Sequence, residues 1–420
     1  MHAIRHCFFL LSVVLVSIAR AAPLPEALPE DLGMSSARLE RLSAAMQRAV
    51  DSGELPGVVV VLARDGKLVY SKTFGWQNRA ANIRMRVDSI FRVYSMTKPV
   101  VSVAAMMLVE EGRLALNEPV AKYIPEFREM KVGVEGTDAS GKPTFSLVDA
   151  KRPMTVQDLL RHTSGLTYGG VGPKTQVKKL YDDAGIFSQK WVLADFAAAL
   201  AKLPLQFQPA TTWEYGHSTD ILGRVVEVAS GKTLDAFLAE RIFRPLGMRD
   251  SGFHVPREKH DRIAEPMPDK YTGKMPELID VREPATFFAG GHGMVSTAGD
   301  YLRFAQALLN GGTLGEVTLL GPRTVQFMSS NHLNENIARG PNYIPGPGYG
   351  FGLGFATRHE TGQSEWPGSV GEFFGAGYAG TYFWIDPQEG LVAVLMSQEP
   401  VRRQNYRVLV RDLVYQAITE

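Results

Sequence analysis

The stretch VVSVAAMMLV, Val100 to Val109, is apolar but for Ser102. A helix of that composition has no polar face to turn to water, so it must be packed against other elements on every side. A chain of 420 residues, 45% apolar and 21% charged, carries enough material to do this with one large core or two packed domains. The run is headed by YSMTKPV, which sets a hydroxyl, Ser95, three residues before an amine, Lys98. On a helix that spacing puts both on one face, about a turn apart, with the amine beside the hydroxyl. Pro99 is tolerated there because the first helical turn has no amide partners to lose. SIFRV, just upstream, reads as a short extended segment.

Around this centre the chain alternates clear signals. SSARLERLSAAMQRAVDSG has helical periodicity and stops at Gly53. VVVVLA, the turn Asp65-Gly66 and KLVYSKTF read as a hairpin. Helical patterns follow in VQDLLRH, VLADFAAALAKL, STDILGRVVEVASG and DYLRFAQALLNGG. From Gly348 the pattern turns to strands, GYGFGLGFAT, GTYFWIDP and LVAVLMSQ, and RRQNYRVLVRDLVYQAI closes as a helix. The expected fold is α+β, an α/β sandwich whose antiparallel sheet is built from both chain ends and flanked by the N- and C-terminal helices. The expected division is a sheet domain of 22–90 and 286–420, a mostly helical inserted domain of 91–285, and an active site at their interface. Residues 134–151 and 255–284 are polar and are expected as loops over one face.

Residues 1–21 read as a cleaved export signal: a basic start, an apolar stretch from Phe8 to Ile18 too short to span a bilayer, and small residues around Arg20. The expected location is periplasmic or secreted, with no stable membrane anchor after cleavage. The single cysteine, Cys7, lies in that segment, leaving no disulfide or cysteine-based metal site. Losing Arg5 and Arg20 moves the net charge from +1 to −1, which gives no reason to expect a nucleic-acid partner.

A serine nucleophile needs a base and an oxyanion hole. No G-x-S-x-G elbow occurs. S-x-x-K occurs once, at Ser95. HTSG, at His162, ends a helix and reads as a structural turn, and HETGQ lacks the second histidine of a zinc H-E-x-x-H. No metal and no cofactor is assigned. WEYGHSTD places Tyr215 just before a helix starting near Ser218, where the helix N-terminus and the Lys98 ammonium would both favour a phenolate able to take the Ser95 proton. An aromatic packed under a loop is the plainer alternative. In FGAGYAGTYFWIDP, Gly375, Gly377 and Gly380 match G-x-G-x-x-G, but a strand rather than a helix follows, so the dinucleotide reading fails. Glycines opening a strand instead allow close approach to a ligand.

SMTKPVVSVAAMMLVEEGRLAL, MTVQDLLRHTSGL, LGMRDSGF, GGHGMVSTAGDYLRFAQALLNGG and GTYFWIDPQEGLVAVLMSQ together resemble the serine beta-lactamase and penicillin-binding-protein fold, and within it the class C beta-lactamase-related branch with its family VIII carboxylesterases. The resemblance runs from the Leu39 region to the chain end. It implies a beta-lactamase/transpeptidase-like fold with Ser95 as acyl-accepting nucleophile, Lys98 as its activating partner and Tyr215 as general base and then acid. It implies backbone amides of Ser95 and Tyr378 as the oxyanion hole, and puts the third family motif on Gly375, Ala376 and Gly377. Two motifs depart: His217 replaces the asparagine of Y-x-N, and Gly375 and Ala376 replace the lysine and threonine of K-T-G. His217, Gly375, Ala376 and Gly377 are expected to border substrate, with no side-chain donor in the third motif for a lactam carboxylate.

The function expected is an exported serine carboxylesterase acting on small short-chain esters through an acyl-enzyme. A beta-lactamase, a D-amino-acid-specific peptidase or an acyltransferase on the same scaffold are alternatives, as is a non-catalytic binding protein for peptidoglycan peptides or acyl ligands. The partner is a small ester; oligomeric state is not readable.

Overall fold

The computed structural model describes residues 21–186 and 190–420, so nearly all of the expected signal segment lies outside the described residues. Its centre is an eight-stranded antiparallel sheet. From edge to edge the strands are Tyr349–Phe351, Ala356–Arg358, Phe373–Ala376, Tyr382–Asp386, Leu391–Ser397, Gly57–Arg64, Lys67–Asn78 and Ile83–Arg84. Both ends of the chain thus share one sheet, joined where Val58 faces Ser397 and Arg64 faces Leu391.

The valine run of Gly57–Arg64 is apolar on both faces because each face meets a core. Val58, Val60 and Leu62 pack against the helices Ser36–Asp51 and Arg403–Tyr415, meeting Leu42, Met46, Val410 and Val414. Val59, Val61 and Ala63 point the other way, into the core that holds the helix Thr97–Glu110. That helix is buried continuously from Thr97 to Leu108, as its composition demands. The hairpin turn puts Asp65 at φ 48° and Gly66 at φ 74°, the pair of left-handed residues a two-residue turn needs.

Two expectations are corrected. GYGFGLGFAT is not one strand but two short ones, Tyr349–Phe351 and Ala356–Arg358, paired across a turn. Gly354 in that turn has φ 99°, and a Cβ there would lie 2.3 Å from Ser102 Oγ, so the chain bends where it presses on the central helix. Residues 134–151 are not a plain loop: Lys131–Thr137 and Pro143–Asp149 form a hairpin with every residue paired from Lys131↔Asp149 to Thr137↔Pro143. Its second strand is exposed throughout, so the polar composition that suggested a loop reflects a ribbon wet on both faces. Residues 255–284 hold only the 3-10 turn Arg257–Arg262, in line with a loop.

Behind the strand Phe373–Ala376 the carboxylate of Glu372, wholly buried, accepts from Arg358 Nε at 2.9 Å, from Arg411 Nη2 and from the hydroxyls of Tyr349 and Tyr415. Removing one partner of such a cluster leaves buried charge uncompensated. Glu372→Gln is expected to lower stability by about 3–5 kcal/mol, read as a drop in the urea midpoint.

Candidate active site

Ser95 lies in the turn Tyr94–Met96, directly ahead of the buried helix. The preceding residue, Tyr94, has φ 44°, a left-handed conformation costly for a side chain of its size. It is held there from outside: the Tyr94 hydroxyl accepts from Ile279 N at 2.9 Å, and its ring meets that of Tyr378 edge-on at 5.5 Å. The nucleophile candidate is thereby raised to the floor of a cleft of about 1090 Å³. Lys98, only 4% exposed, reaches back to it: its Nζ is 3.2 Å from Ser95 Oγ, 3.2 Å from Tyr168 Oη and 2.7 Å from Gly291 O. Three acceptors match the three hydrogens of an ammonium.

Tyr215 comes from the segment after the two-residue strand Thr212–Trp213, which pairs with Ala338–Arg339. The neighbouring residues fix it. Glu214 N donates to His162 O at 2.9 Å, and a Cβ on Gly216 would come within 2.5 Å of Leu166 O, so only glycine lets the segment lie flat against the turn 162–168. The HTSG turn is structural as expected, with His162 at φ 58° and its ring 5.0 Å from that of Tyr215. Burial and the nearby Lys98 charge push the His162 imidazole down to about 3, so it backs the tyrosine as a neutral ring. Lys98 Nζ lies 4.6 Å from the Tyr215 ring centroid, a cation–π contact.

Gly375, Ala376, Gly377 and Tyr378 form the opposite wall of the cleft. A Cβ on Gly377 would lie 2.2 Å from Val93 O, so glycine lets this turn press against the segment that carries Ser95. The turn is closed by Gly377 N to Thr381 O at 2.9 Å and Gly380 N to Gly377 O at 3.2 Å, and neither bond uses the Tyr378 amide.

His217 is a correction. It was expected to border substrate, but it is 1% exposed and does not line the cleft. At the start of the helix Ser218–Ser230 its ring turns inward, with Nδ1 2.8 Å from Asp220 Oδ2, and stacks edge-on to Tyr168 at 4.4 Å. Asp220, wholly buried, also accepts Gly291 N at 2.7 Å, the residue whose carbonyl holds Lys98. Burial alone would raise the Asp220 carboxyl, but the His217 hydrogen bond, then the neighbouring His292 and His217 rings, and last the charge of Lys98 hold it down at about 2. His292, 3.8 Å from the same carboxylate, is lowered to about 4, mainly by burial.

Tyr168 and Asp220 are the residues the sequence reading missed. Tyr168 sits in LTYGG, with no spacing signal toward Ser95. Its phenol is raised well above the usual range, first by burial and then by the Asp220 charge, so it faces Lys98 as a neutral hydroxyl. The His217/Asp220 spacing on one helix start was a signal available for Asp220.

A family profile described as Beta-lactamase matches residues 42–415. Esterase EstB of Burkholderia gladioli is 31% identical over 398 residues, covering 89% of this chain and 94% of EstB. The lovastatin esterase of Penicillium rubens is 31% identical over 381 residues, covering 84% of this chain and 91% of that protein. Among solved structures, EstCE1, described as a hydrolase with promiscuous acyltransferase activity, superposes with a TM-score of 0.77 at 25% identity, over 90% of this chain and 98% of its own.

Proposed function

The chain belongs to the Beta-lactamase family, and we propose that this serine hydrolase is a carboxylesterase working through an acyl-Ser95 intermediate, exported by its N-terminal segment. The observation that carries this reading is Lys98 Nζ at 3.2 Å from a partly exposed Ser95 Oγ on the cleft floor. With the lysine's hydrogens matched to three acceptors, Tyr215 reacts as its phenolate and takes the proton of Ser95 as Oγ bonds the ester carbonyl carbon, becoming a neutral phenol. The oxygen of the tetrahedral intermediate sits between the amides of Ser95 and Tyr378. Collapse breaks the bond to the alcohol, which leaves with the proton from Tyr215. Water then repeats the sequence and releases the acid. Short esters fit with most of the cleft left over, since 1090 Å³ lies just above the roughly 300–1,000 Å³ typical of small-molecule sites.

That spare volume favours one second reading, transfer of the acyl group to an alcohol bound beside the acyl-enzyme, the activity in the description of EstCE1. Purified protein is expected to hydrolyse p-nitrophenyl butyrate and to be labelled by a fluorophosphonate at Ser95. With labelling absent and no ester turned over, the enzyme reading gives way to a binding protein. Partition of the acyl group to added methanol separates transferase from hydrolase.

A further inference from the structure

The residue ahead of Tyr215 is Glu214, only 1% exposed, and it is paired at 3.0 Å with Lys178, itself 3% exposed. Lys178 comes from the helix Gln176–Asp183, no residue of which lines the cleft. Both side chains reach further. Lys178 Nζ donates to Val171 O at 2.8 Å, and Val171 is part of the cleft wall. Glu214 Oε1 accepts from Thr167 Oγ1 at 2.7 Å, and Thr167 is the residue before Tyr168. The pair therefore ties together the segments that carry the two tyrosines in contact with Lys98. The Tyr168 hydroxyl lies 3.2 Å from Lys98 Nζ, the Tyr215 ring centroid lies 4.6 Å from it, and the two phenol rings meet edge-on at 5.5 Å.

Stability alone does not account for charges at this place. Taking an ammonium and a carboxylate out of water costs more than their attraction returns unless the remaining lone pairs are satisfied, and apolar residues of similar volume often do as well or better. Here Glu214 Oε2 is buried with no hydrogen-bond partner among the described residues. What apolar contacts lack is direction. A carboxylate held by Lys178 and by the Thr167 hydroxyl has one place to sit, and the backbone entering Tyr215 is fixed with it. We propose that the Lys178–Glu214 ion pair is a positioning element for the reaction: it sets Tyr215 and Tyr168 in register against Lys98 through Thr167 and holds the Val171 wall in the same frame. The proposal rests on the esterase reading above, in which Tyr215 takes the Ser95 proton, and adds two residues that do not line the cleft.

The test removes both charges together, since either single change leaves a buried charge uncompensated and disturbs fold and function alike. In the double variant Lys178→Met/Glu214→Leu the urea midpoint is expected to stay near the parent's, because apolar side chains fill the same space. Turnover is expected not to follow. The kcat for p-nitrophenyl butyrate should fall roughly 10–100-fold, the scale of a misplacement of about 1 Å, with KM moving much less. A pair that serves the fold alone would let stability and kcat recover together, so a parental kcat in the double variant, or a loss confined to KM, overturns the proposal. Should the double variant not fold, Thr167→Val decides. It leaves the two charges paired and removes only the hydroxyl that joins Glu214 to the Tyr168 segment, and it should lower kcat several-fold, with Thr167→Ser restoring it. Parental kcat in Thr167→Val, or a loss that Thr167→Ser does not reverse, overturns the proposal as well. If the unaltered protein hydrolyses no ester, the esterase reading fails, and crystal structures of the parent and of Thr167→Val decide the positioning by themselves: Tyr215 displaced against Lys98 supports it, and Tyr215 unmoved overturns it.

Discussion

Ser95→Ala is expected to remove ester turnover and fluorophosphonate labelling together, with a loss on the order of 10⁴–10⁶ in kcat, the scale seen when the nucleophile of an acyl-transfer unit is deleted. Tyr168, the other hydroxyl within reach of Lys98, is held as a neutral phenol by burial and by Asp220. Stability should hardly change, because the recorded side-chain bond lost is the one to Lys98, which keeps Tyr168 and Gly291. An unfolding midpoint equal to the parent's, measured with absent labelling, separates loss of chemistry from loss of fold. Turnover surviving in Ser95→Ala, or a phosphonate adduct mapped to another residue, would remove Ser95 from its proposed role.

What could be read from the sequence follows how local each signal is. The buried helix was legible because Val100 to Val109 is apolar around its whole circumference, and that pattern has one packing solution. The hairpin at Asp65-Gly66 was legible because two left-handed residues in succession leave few alternatives. Ser95 and Lys98 share one helical turn, so their meeting was a matter of spacing. Tyr215 was a candidate from its place just before a helix start, but only the family resemblance preferred it to a packed aromatic, since the turn that places it, from His162 to Tyr168, lies some 50 residues upstream. His217 was misplaced for a related reason. Position in a motif says which residue stands at the helix start, but the direction of its ring depends on Asp220, which draws it inward. The arginines of the C-terminal helix follow the i, i+4, i+8 pattern in RRQNYRVLVRDL. That pattern says they share a face. It does not say that Arg411 is paired with Glu372 while Arg403 and Arg407 hydrogen-bond backbone carbonyls, which only the packing of chain ends across the sheet decides. The hairpin over 131–149 escaped notice because the alternation in 131–135 and 144–147 is short and is separated by the polar, glycine-containing stretch 136–143, which reads as a loop.

Lys98→Ala and Tyr215→Phe are each expected to cut kcat by a hundredfold or more, within the roughly 10²–10⁴ typical of positioned acid–base groups. The two act at one place: the lysine lies over the tyrosine ring at 4.6 Å and reaches the nucleophile at 3.2 Å. Removing the lysine withdraws the positive charge that steadies negative charge on the tyrosine oxygen, and leaves Tyr168 Oη and Gly291 O without their shared donor. Removing the phenol oxygen takes away the proton acceptor itself, leaving the lysine without a partner to assist. Because either change breaks the same proton path, the double variant should lose far less than the product of the single losses. A multiplicative loss would mean two independent contributions and would separate Lys98 from the work of Tyr215. The split between kcat and KM adds a second reading. Both side chains act on the reacting atoms rather than on the bulk of the substrate, so KM for p-nitrophenyl butyrate should move much less than kcat. A Tyr215→Phe variant with near-normal kcat would return this residue to the plainer role of an aromatic packed beneath a loop, stacked between Trp213 and His162, and would send the Ser95 proton elsewhere.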